Sequence, residues 1–514
     1  MNNRNFPSAG LPLSLVWLVS TVLLCAAFIF AAAPRVDAQG REQEKTQSTA
    51  QGQTIPLINT RDSRHYLSII QRVFDFVQRN YVEEVDPKIL YEGAMTGMMN
   101  ALGDPYTSFL PETEMSSLNH TTQGTFGGVG LYISKPIGER ADGKPPYVEV
   151  ASPIEDTPGW RAGINPGDLI ISIDGEPTDV LSMDDVLARL RGEPGVELKL
   201  LIRRGANLEF TVALKRAIIE VPTTKAAMID DIGYLKLLTF TPMTVDRARD
   251  ALKDFEGKKY KSLIIDLRNN YGGLLNAAVG ISDLFLDGGV VVSTKSRLAS
   301  ENNVFNARSR NTIPKEIPIV VLINRGSASA SEIVAGALKD RGRAYLVGEK
   351  SYGKGSVQQV YPLDENRSGF KITTARYYTP SDVNIDKIGI PPDREVKFPE
   401  FSAEDSEKLN SLIQSNKIPA FVEANPQAAA AQVDTFARQL QGEYKLDLSL
   451  VRRLVKNELN RTSLAPVYDL EYDVQLQEAV NILRGGNYTN LMKTAKTLKT
   501  LQEESDRADQ TLAS

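Results

Sequence analysis

Cysteine and histidine are almost absent from this sequence: 514 residues hold one cysteine, Cys25, and two histidines, His65 and His120. A single cysteine cannot close an internal disulfide and excludes a cysteine-based metal cluster. Both histidines precede the stretches with α/β or β patterning, so a Ser-His-Asp site would have to draw one of them from a distant part of the chain. An excess of one charge is also lacking. With 59 basic and 64 acidic residues and a formal charge of −5, the chain offers no electrostatic reason to expect a nucleic-acid partner. The short run Lys258, Lys259 and Lys261 reads as solvated surface. A hydrophobic content of 42% supplies several globular cores, and the length suits about two to four domains.

Long apolar runs are missing too, with one exception. Arg4 precedes an apolar stretch from about Leu11 to Ala33, and the small-residue pattern Val36-Asp37-Ala38 stands before Gln39. That order resembles a secretory signal peptide, residues 1–38, cleaved after Ala38. The run also has the length to span a bilayer, so a retained membrane anchor is the alternative. Either outcome exports the rest of the chain, to the periplasm or cell envelope. Leu24 occupies the place before Cys25 where a lipoprotein signal would want a small residue, which argues against lipidation. Cleavage would leave no cysteine, in keeping with an envelope location.

Residues 39–60 are polar and read as a linker. In the N-terminal helical region, 61–120, Leu67, Ile70, Val73, Phe74 and Val77 recur at helical spacing. A second helix is expected from Pro87 to Leu102, stopped by Gly103-Asp104-Pro105. Residues 121–215 change character. Strands are expected at Val129–Ile133, Tyr147–Val150, Leu169–Ile173, Glu197–Arg203 and Glu209–Leu214, with a helix at Met183–Leu190. In the block 216–399, strands at Ile232–Phe240, Ser262–Leu267, Gly289–Ser293 and Ile317–Ile323 alternate with helices near 244–255, 273–286 and 330–339. That alternation predicts a sheet covered by helices, with ligand-facing residues in the loops after strands. A mostly helical extension fills 400–514. The fold class is therefore α+β multidomain.

Three segments carry chemistry. Val320 to Ala337 reads as a buried strand, a Gly-Ser turn and a helix, which places Ser329 at a sheet edge beside the N–H of Ala330. Serines capping a helix are the bland reading of the same turn. Gly348 to Val360 sets Lys354 between two glycines. A lysine acts as a general base only while neutral, and burial favours that form. Gln358, four residues on, would share a strand face with Lys354 and could orient its amine. In Ile264 to Leu275, the backbone N–H of Gly272 or Gly273 could complete an oxyanion site opposite Ala330; a plain strand-to-helix turn is the alternative.

Together these segments resemble the C-terminal processing peptidases, or tail-specific proteases, a family of Ser-Lys enzymes. The resemblance rests on Gly326-Ser327-Ala328-Ser329, Gly353-Lys354-Gly355-Ser356-Val357-Gln358 and Asn270-Tyr271-Gly272-Gly273. It extends to Gly103-Asp104-Pro105-Tyr106-Thr107, Thr374 to Pro380 and Gly389-Ile390-Pro391-Pro392-Asp393, and covers roughly 61–399. It implies Ser329 as nucleophile, Lys354 as general base, Gln358 as the lysine-orienting residue, and Ala330 with Gly272 or Gly273 as oxyanion donors. Tyr271 departs from the proline usual in the oxyanion turn, and Ser381-Asp382-Val383 lacks a customary glycine. No metal or organic cofactor is required for such acyl transfer.

Residues 124–214 resemble a PDZ domain, with Gly127-Gly128-Val129-Gly130-Leu131 in the place of its carboxylate-binding loop. The implied partners are proteins or peptides with free C-termini, bound by strand addition. Leu131, Ile133, Val186 and Leu190 would form an apolar side-chain pocket. Self-association and adaptor binding are both open roles for 400–514. A catalytically inactive PDZ scaffold and a Ser-Lys amidase are the competing functions. The first would be favoured by loss of Ser329 or Lys354, and the second leaves the PDZ-like module unexplained.

Overall fold

A computed structural model describes residues 61–513 apart from 136–144, 206–207, 309–312, 364, 366, 399–401 and 461–465. The signal or anchor and the linker expected over 1–60 lie outside the described residues. The chain divides into two compact units, one containing residues 125–227 and 396–481, the other 61–124, 228–395 and 482–513. No helix among the described residues is long and apolar enough to cross a membrane.

The larger unit is organised by parallel strands in the order Ile232–Leu237, Ser262–Asp266, Ile319–Ile323, Tyr345–Gly348 and Arg394–Glu395. Ser262–Asp266 and Ile319–Ile323 are buried at every position, as strands covered on both faces must be. That is why their sequences run SLIID and IVVLI without polar alternation. Helices Thr244–Gly257, Leu275–Asp283 and Ala330–Asp340 follow successive strands. Their buried residues join the strands in one core that includes Phe240, Phe255, Ile281 and Leu338. The strand expected to reach Phe240 stops at Leu237, because Phe240 pairs instead with Gly273 across an isolated bridge.

A second, antiparallel sheet in this unit joins Ser108–Leu110, Ser368–Tyr378, Gly289–Ser296, Asn303–Ala307 and Ser356–Leu363. Ser108 lies opposite Lys371, so the turn after helix Pro87–Asn100 is fastened beside the middle of strand Ser368–Tyr378. Helix Arg61–Asn80 extends the expected first helix by several residues at its start.

In the smaller unit, five antiparallel strands run in the order Leu131–Ser134, Val148–Pro153, Leu169–Ile173, Glu197–Arg204 and Leu208–Lys215. Thr125–Gly128 pairs separately with Ala217–Glu220. The single strand expected over Val129–Ile133 is thus broken at Val129-Gly130, where Gly130 takes φ 75°. Helix Met183–Leu190 matches its expected span. Ser182 and Asp185 cap it reciprocally, each accepting the other's backbone N–H. The helical extension includes Ala403–Gln414, Lys417–Ala424, Ala430–Tyr444 and Leu448–Leu459, which enclose a core of Leu412, Val433, Leu440, Val451 and Val455.

Candidate active site

Two neighbouring parallel strands deliver the site. Asp266 ends one and Ile323 the other, and both run into turns at their C-terminal ends, where parallel sheets present their loops. Hydrogen bonds pin the two turns together. Ser327 Oγ donates to Leu267 O (2.9 Å), Ala328 N to Asn270 O (3.0 Å) and Ser331 Oγ to the same carbonyl (2.7 Å). The buried Asn270 side chain donates to Leu237 O and accepts the Gly272 N–H, each at 2.9 Å.

Beneath this turn, Asp266 is fully buried against Arg268, whose Nε and backbone N–H both lie 2.9 Å from Asp266 Oδ1. The Tyr234 hydroxyl donates to Oδ2 at 2.7 Å. Burial pushes the Asp266 carboxyl up, but the Arg268 charge and hydrogen bonds, with Lys236 and Tyr234, leave it below the usual carboxylate range.

Ser329 is fully buried, with φ 62° and ψ −113°. A non-glycine residue holds such a conformation only where its surroundings impose it, at about 1–3 kcal/mol. Its Oγ has no hydrogen-bond partner among the described residues. Its N–H donates to Glu332 Oε2 at 2.7 Å.

Glu332 organises both halves of the site. It lies in the first turn of helix Ala330–Asp340 and is completely buried. Besides Ser329 N, Oε2 accepts Lys354 N at 2.9 Å, while Oε1 accepts Ser351 Oγ at 2.5 Å and Gly353 N at 2.7 Å. Burial raises the Glu332 carboxyl above its ordinary range despite these four donors. The sequence carried a signal for this residue: an acidic side chain three positions after a helix-starting serine is the capping-box spacing.

Lys354 is 8% exposed and precedes strand Ser356–Leu363. The Tyr377 hydroxyl donates to its carbonyl and, at 3.2 Å, to that of Ser329. Lys354 Nζ lies 4.7 Å from the centroid of the Tyr106 ring. Gln358 stands differently from the expected strand-face arrangement. The strand begins only at Ser356, and its register with Ser368–Tyr378 shifts between Val357 and Gln358, which breaks the alternation counted from Lys354. Gln358 Nε2 donates to Ser356 Oγ (2.9 Å) and Thr373 Oγ1 (3.2 Å), and its buried Oε1 has no partner among the described residues.

Gly272 and Gly273 have φ 108° and 145°. A β-carbon on Gly272 would lie 2.9 Å from Ser329 Cβ and 3.0 Å from Ala330 N, which brings this turn against the serine. The Gly272 N–H is committed to Asn270, so it is not the open donor expected of it. Gly273 remains the candidate from that turn, and Ala330, as the first residue of its helix, has an N–H with no intrahelical acceptor.

In the smaller unit, Val129, Val186 and Leu190 belong to the buried core, and Leu131 and Ile133 pack against it. These side chains do meet, but those of Val129, Val186 and Leu190 are enclosed in the core, and only Leu131 and Ile133 are partly exposed. Gly128 ends the strand paired with Ala217, and a β-carbon on Gly130 would lie 2.3 Å from Thr157.

The chain is similar to known proteins over much of its length. Residues 231–396 match Peptidase family S41, 149–204 a PDZ domain, and 22–113 the activating protease CtpB N-terminal domain. The carboxy-terminal-processing protease of Bartonella bacilliformis is 39% identical over 352 residues, 68% of this chain and 79% of that protein. Carboxy-terminal processing protease CtpA of Bacillus subtilis is 31% identical over 334 residues, 65% and 69% of the two chains. With this shared extent, and with a strained, buried serine beside a buried lysine at the sheet edge, the chain belongs to the carboxy-terminal processing proteases, serine peptidases of family S41.

Proposed function

We propose that this peptidase hydrolyses internal peptide bonds of exported proteins, and that its PDZ domain selects substrates through an apolar free C-terminus. Ser329 Oγ gives its proton to neutral Lys354 Nζ as it attacks the scissile carbonyl carbon. The oxyanion forms against the N–H groups of Ala330 and Gly273. Lys354 returns the proton to the departing amine as the C–N bond breaks. Water then adds to the Ser329 ester, losing its proton to Lys354, and the serine is released with its hydroxyl restored. Gln358 orients the lysine amine once its free Oε1 turns toward Nζ.

The observation that carries this reading is the common tether of Ser329 and Lys354 on one oxygen of Glu332, beside a serine hydroxyl that no other described group engages. Export follows from the N-terminal apolar run, with the envelope or periplasm as destination and a retained N-terminus as the anchored variant. Selection of C-termini follows from the PDZ domain, whose Leu131–Ser134 strand would receive the peptide beside Val186 and Leu190.

The test is mass spectrometry of a disordered protein ending in Leu-Ala-Ala, incubated with the purified enzyme beside its C-terminally amidated form and a Ser329→Ala enzyme. Cleavage that disappears in Ser329→Ala and weakens on amidation is expected. Undiminished cleavage by Ser329→Ala would remove the nucleophile assignment, and indifference to amidation would remove C-terminal selection.

A further inference from the structure

The general base of the proposed mechanism has a second set of neighbours, from a part of the chain about 250 residues away. Lys354 Nζ lies over the face of Tyr106, 4.7 Å from its centroid, where the ring quadrupole attracts a cation. The Lys354 charge also acts on Asp104, two residues earlier in the same turn. Burial raises the Asp104 carboxyl, yet hydrogen bonds from Thr107, Thr373 and Tyr106 N, with the Lys354 charge, bring it below its ordinary range. Burial and a hydrogen bond to Tyr352 raise the Tyr106 phenol, so the ring stays neutral and keeps its quadrupole.

The same turn reaches Gln358. Thr107 Oγ1 and Thr373 Oγ1 each donate to Asp104 Oδ2 at 2.6 Å, and Thr373 Oγ1 accepts Gln358 Nε2 at 3.2 Å. The Gln358 amide is thus drawn toward Asp104 through one threonine. Pairing of Ser108–Leu110 with Ser368–Tyr378 fastens this turn, and Thr107 Oγ1 also accepts Thr373 N at 3.2 Å.

Resting on the assignment of Lys354 as base, we propose that Asp104 and Tyr106 are positioning residues for it. They hold its ammonium form over the Tyr106 ring, while Ser329 Oγ and Gln358 Oε1 stand unpaired until the amine deprotonates and turns to them. Titratable groups from every surrounding element bear on this region: Asp104 and Tyr106 from the turn, Glu332 from helix Ala330–Asp340, Tyr352 from the lysine loop, Tyr377 from strand Ser368–Tyr378, and Asp386 from the loop after it. Of these, Asp104 and Tyr106 favour the ammonium without holding the backbone of Ser329 or Lys354, so their removal separates the charge effect from collapse of the site.

The experiment is a kcat/KM profile from about pH 5 to about pH 10, where the low-pH limb reports the essential base. The full-length enzyme is compared with Asp104→Asn, Tyr106→Phe and a series carrying progressively fluorinated phenylalanines at 106, which keep the ring's shape and drain its quadrupole. Tyr106→Phe should leave the limb near the wild-type position. Fluorination should move it stepwise to lower pH, by about half a unit to one and a half units in all, and Asp104→Asn should move it the same way. A purely structural role would lower the plateau and leave the limb in place, and a limb stationary through the fluorinated series overturns the proposal even if Asp104→Asn fails to fold. Ser329→Ala is run alongside. If it cleaves like wild type, the Ser-Lys reading falls and takes this one with it. If it is inactive while the limb stays fixed, the positioning role alone falls.

Discussion

Ser329 and Lys354 donate their backbone N–H groups to the same oxygen of Glu332, at 2.7 and 2.9 Å. A carboxylate that accepts four donors in a fully buried position ties a strained turn to a distant glycine-flanked loop more firmly than packing alone could. The relative placement of the two side chains therefore depends on a residue that touches neither the Ser329 hydroxyl nor the lysine amine through any hydrogen bond described above.

Glu332→Ala should cost about 3–5 kcal/mol, since four buried donors lose their acceptor, and should abolish cleavage. Glu332→Gln should fold with a smaller loss of about 1–3 kcal/mol, because one amide N–H₂ must face a donor. Urea unfolding and peptide cleavage measure the two effects. The Glu332 carboxyl is raised in the folded state, so its titration favours folding at low pH and that contribution is lost as pH rises through the folded value. The deficit of Glu332→Gln relative to wild type should accordingly narrow as pH rises.

Asp266 titrates in the opposite sense. Its carboxyl lies below the ordinary value of 3.8, so its contribution is complete above that value and is lost as pH falls through the folded one. Asp266→Asn should lower stability at neutral pH by about 3–5 kcal/mol, leaving Arg268 buried without its counter-charge. It should also flatten the acid arm of a urea-midpoint profile below about pH 4. An unchanged acid arm would show that Asp266 does not titrate between folded and unfolded states.

The two glycines of the 270–273 turn should respond differently to alanine. In Gly273→Ala the new β-carbon would meet Phe240 O at 2.2 Å from a φ of 145°, so loss of the folded state itself is expected. In Gly272→Ala the nearest atoms are Ser329 Cβ at 2.9 Å and Ala328 O and Ala330 N at 3.0 Å. That contact presses on the serine's own turn, so the variant should fold with lowered stability and lose kcat by about 10²-fold with little change in KM, through a displaced Ser329 rather than a lost donor, since the Gly272 N–H already serves Asn270. Thermal melting beside steady-state kinetics distinguishes them.

In the PDZ domain, Leu190→Ala should destabilise by about 2–5 kcal/mol, because the side chain is buried in the core with Val186 and Leu200. It should also raise KM for substrates ending in an apolar residue while leaving kcat at saturation unchanged. Equal KM values for apolar and acidic C-termini in the wild-type enzyme would remove the pocket from the specificity account.

Much of this architecture was legible in the residues. IVVLI at 319–323, short and rich in β-branched residues, reads as a strand covered on both faces, and the helix after Ser329 follows from its apolar spacing. Ser329 and Lys354 stand out through the short motifs around them. The neighbourhoods were less legible. Spacing from Lys354 puts Gln358 on the lysine's strand face, but the register shift between Val357 and Gln358 turns its amide to Thr373. Sequence alone offers Gly272 as an open donor, whereas in the fold the Asn270 side chain occupies its N–H.

The sequence by itself determined which segments become strands, helices and tight turns, since periodicity, capping and glycine act over a few residues of backbone. Tertiary structure alone decided that Tyr106 faces Lys354, that Asp104 reaches Gln358 through Thr373, that Glu332 is buried among four donors, and that Asp266 answers Arg268 inside the core. Those relationships arise from burial and from hydrogen-bond partners, and burial depends on segments far apart in the chain, which no local pattern encodes.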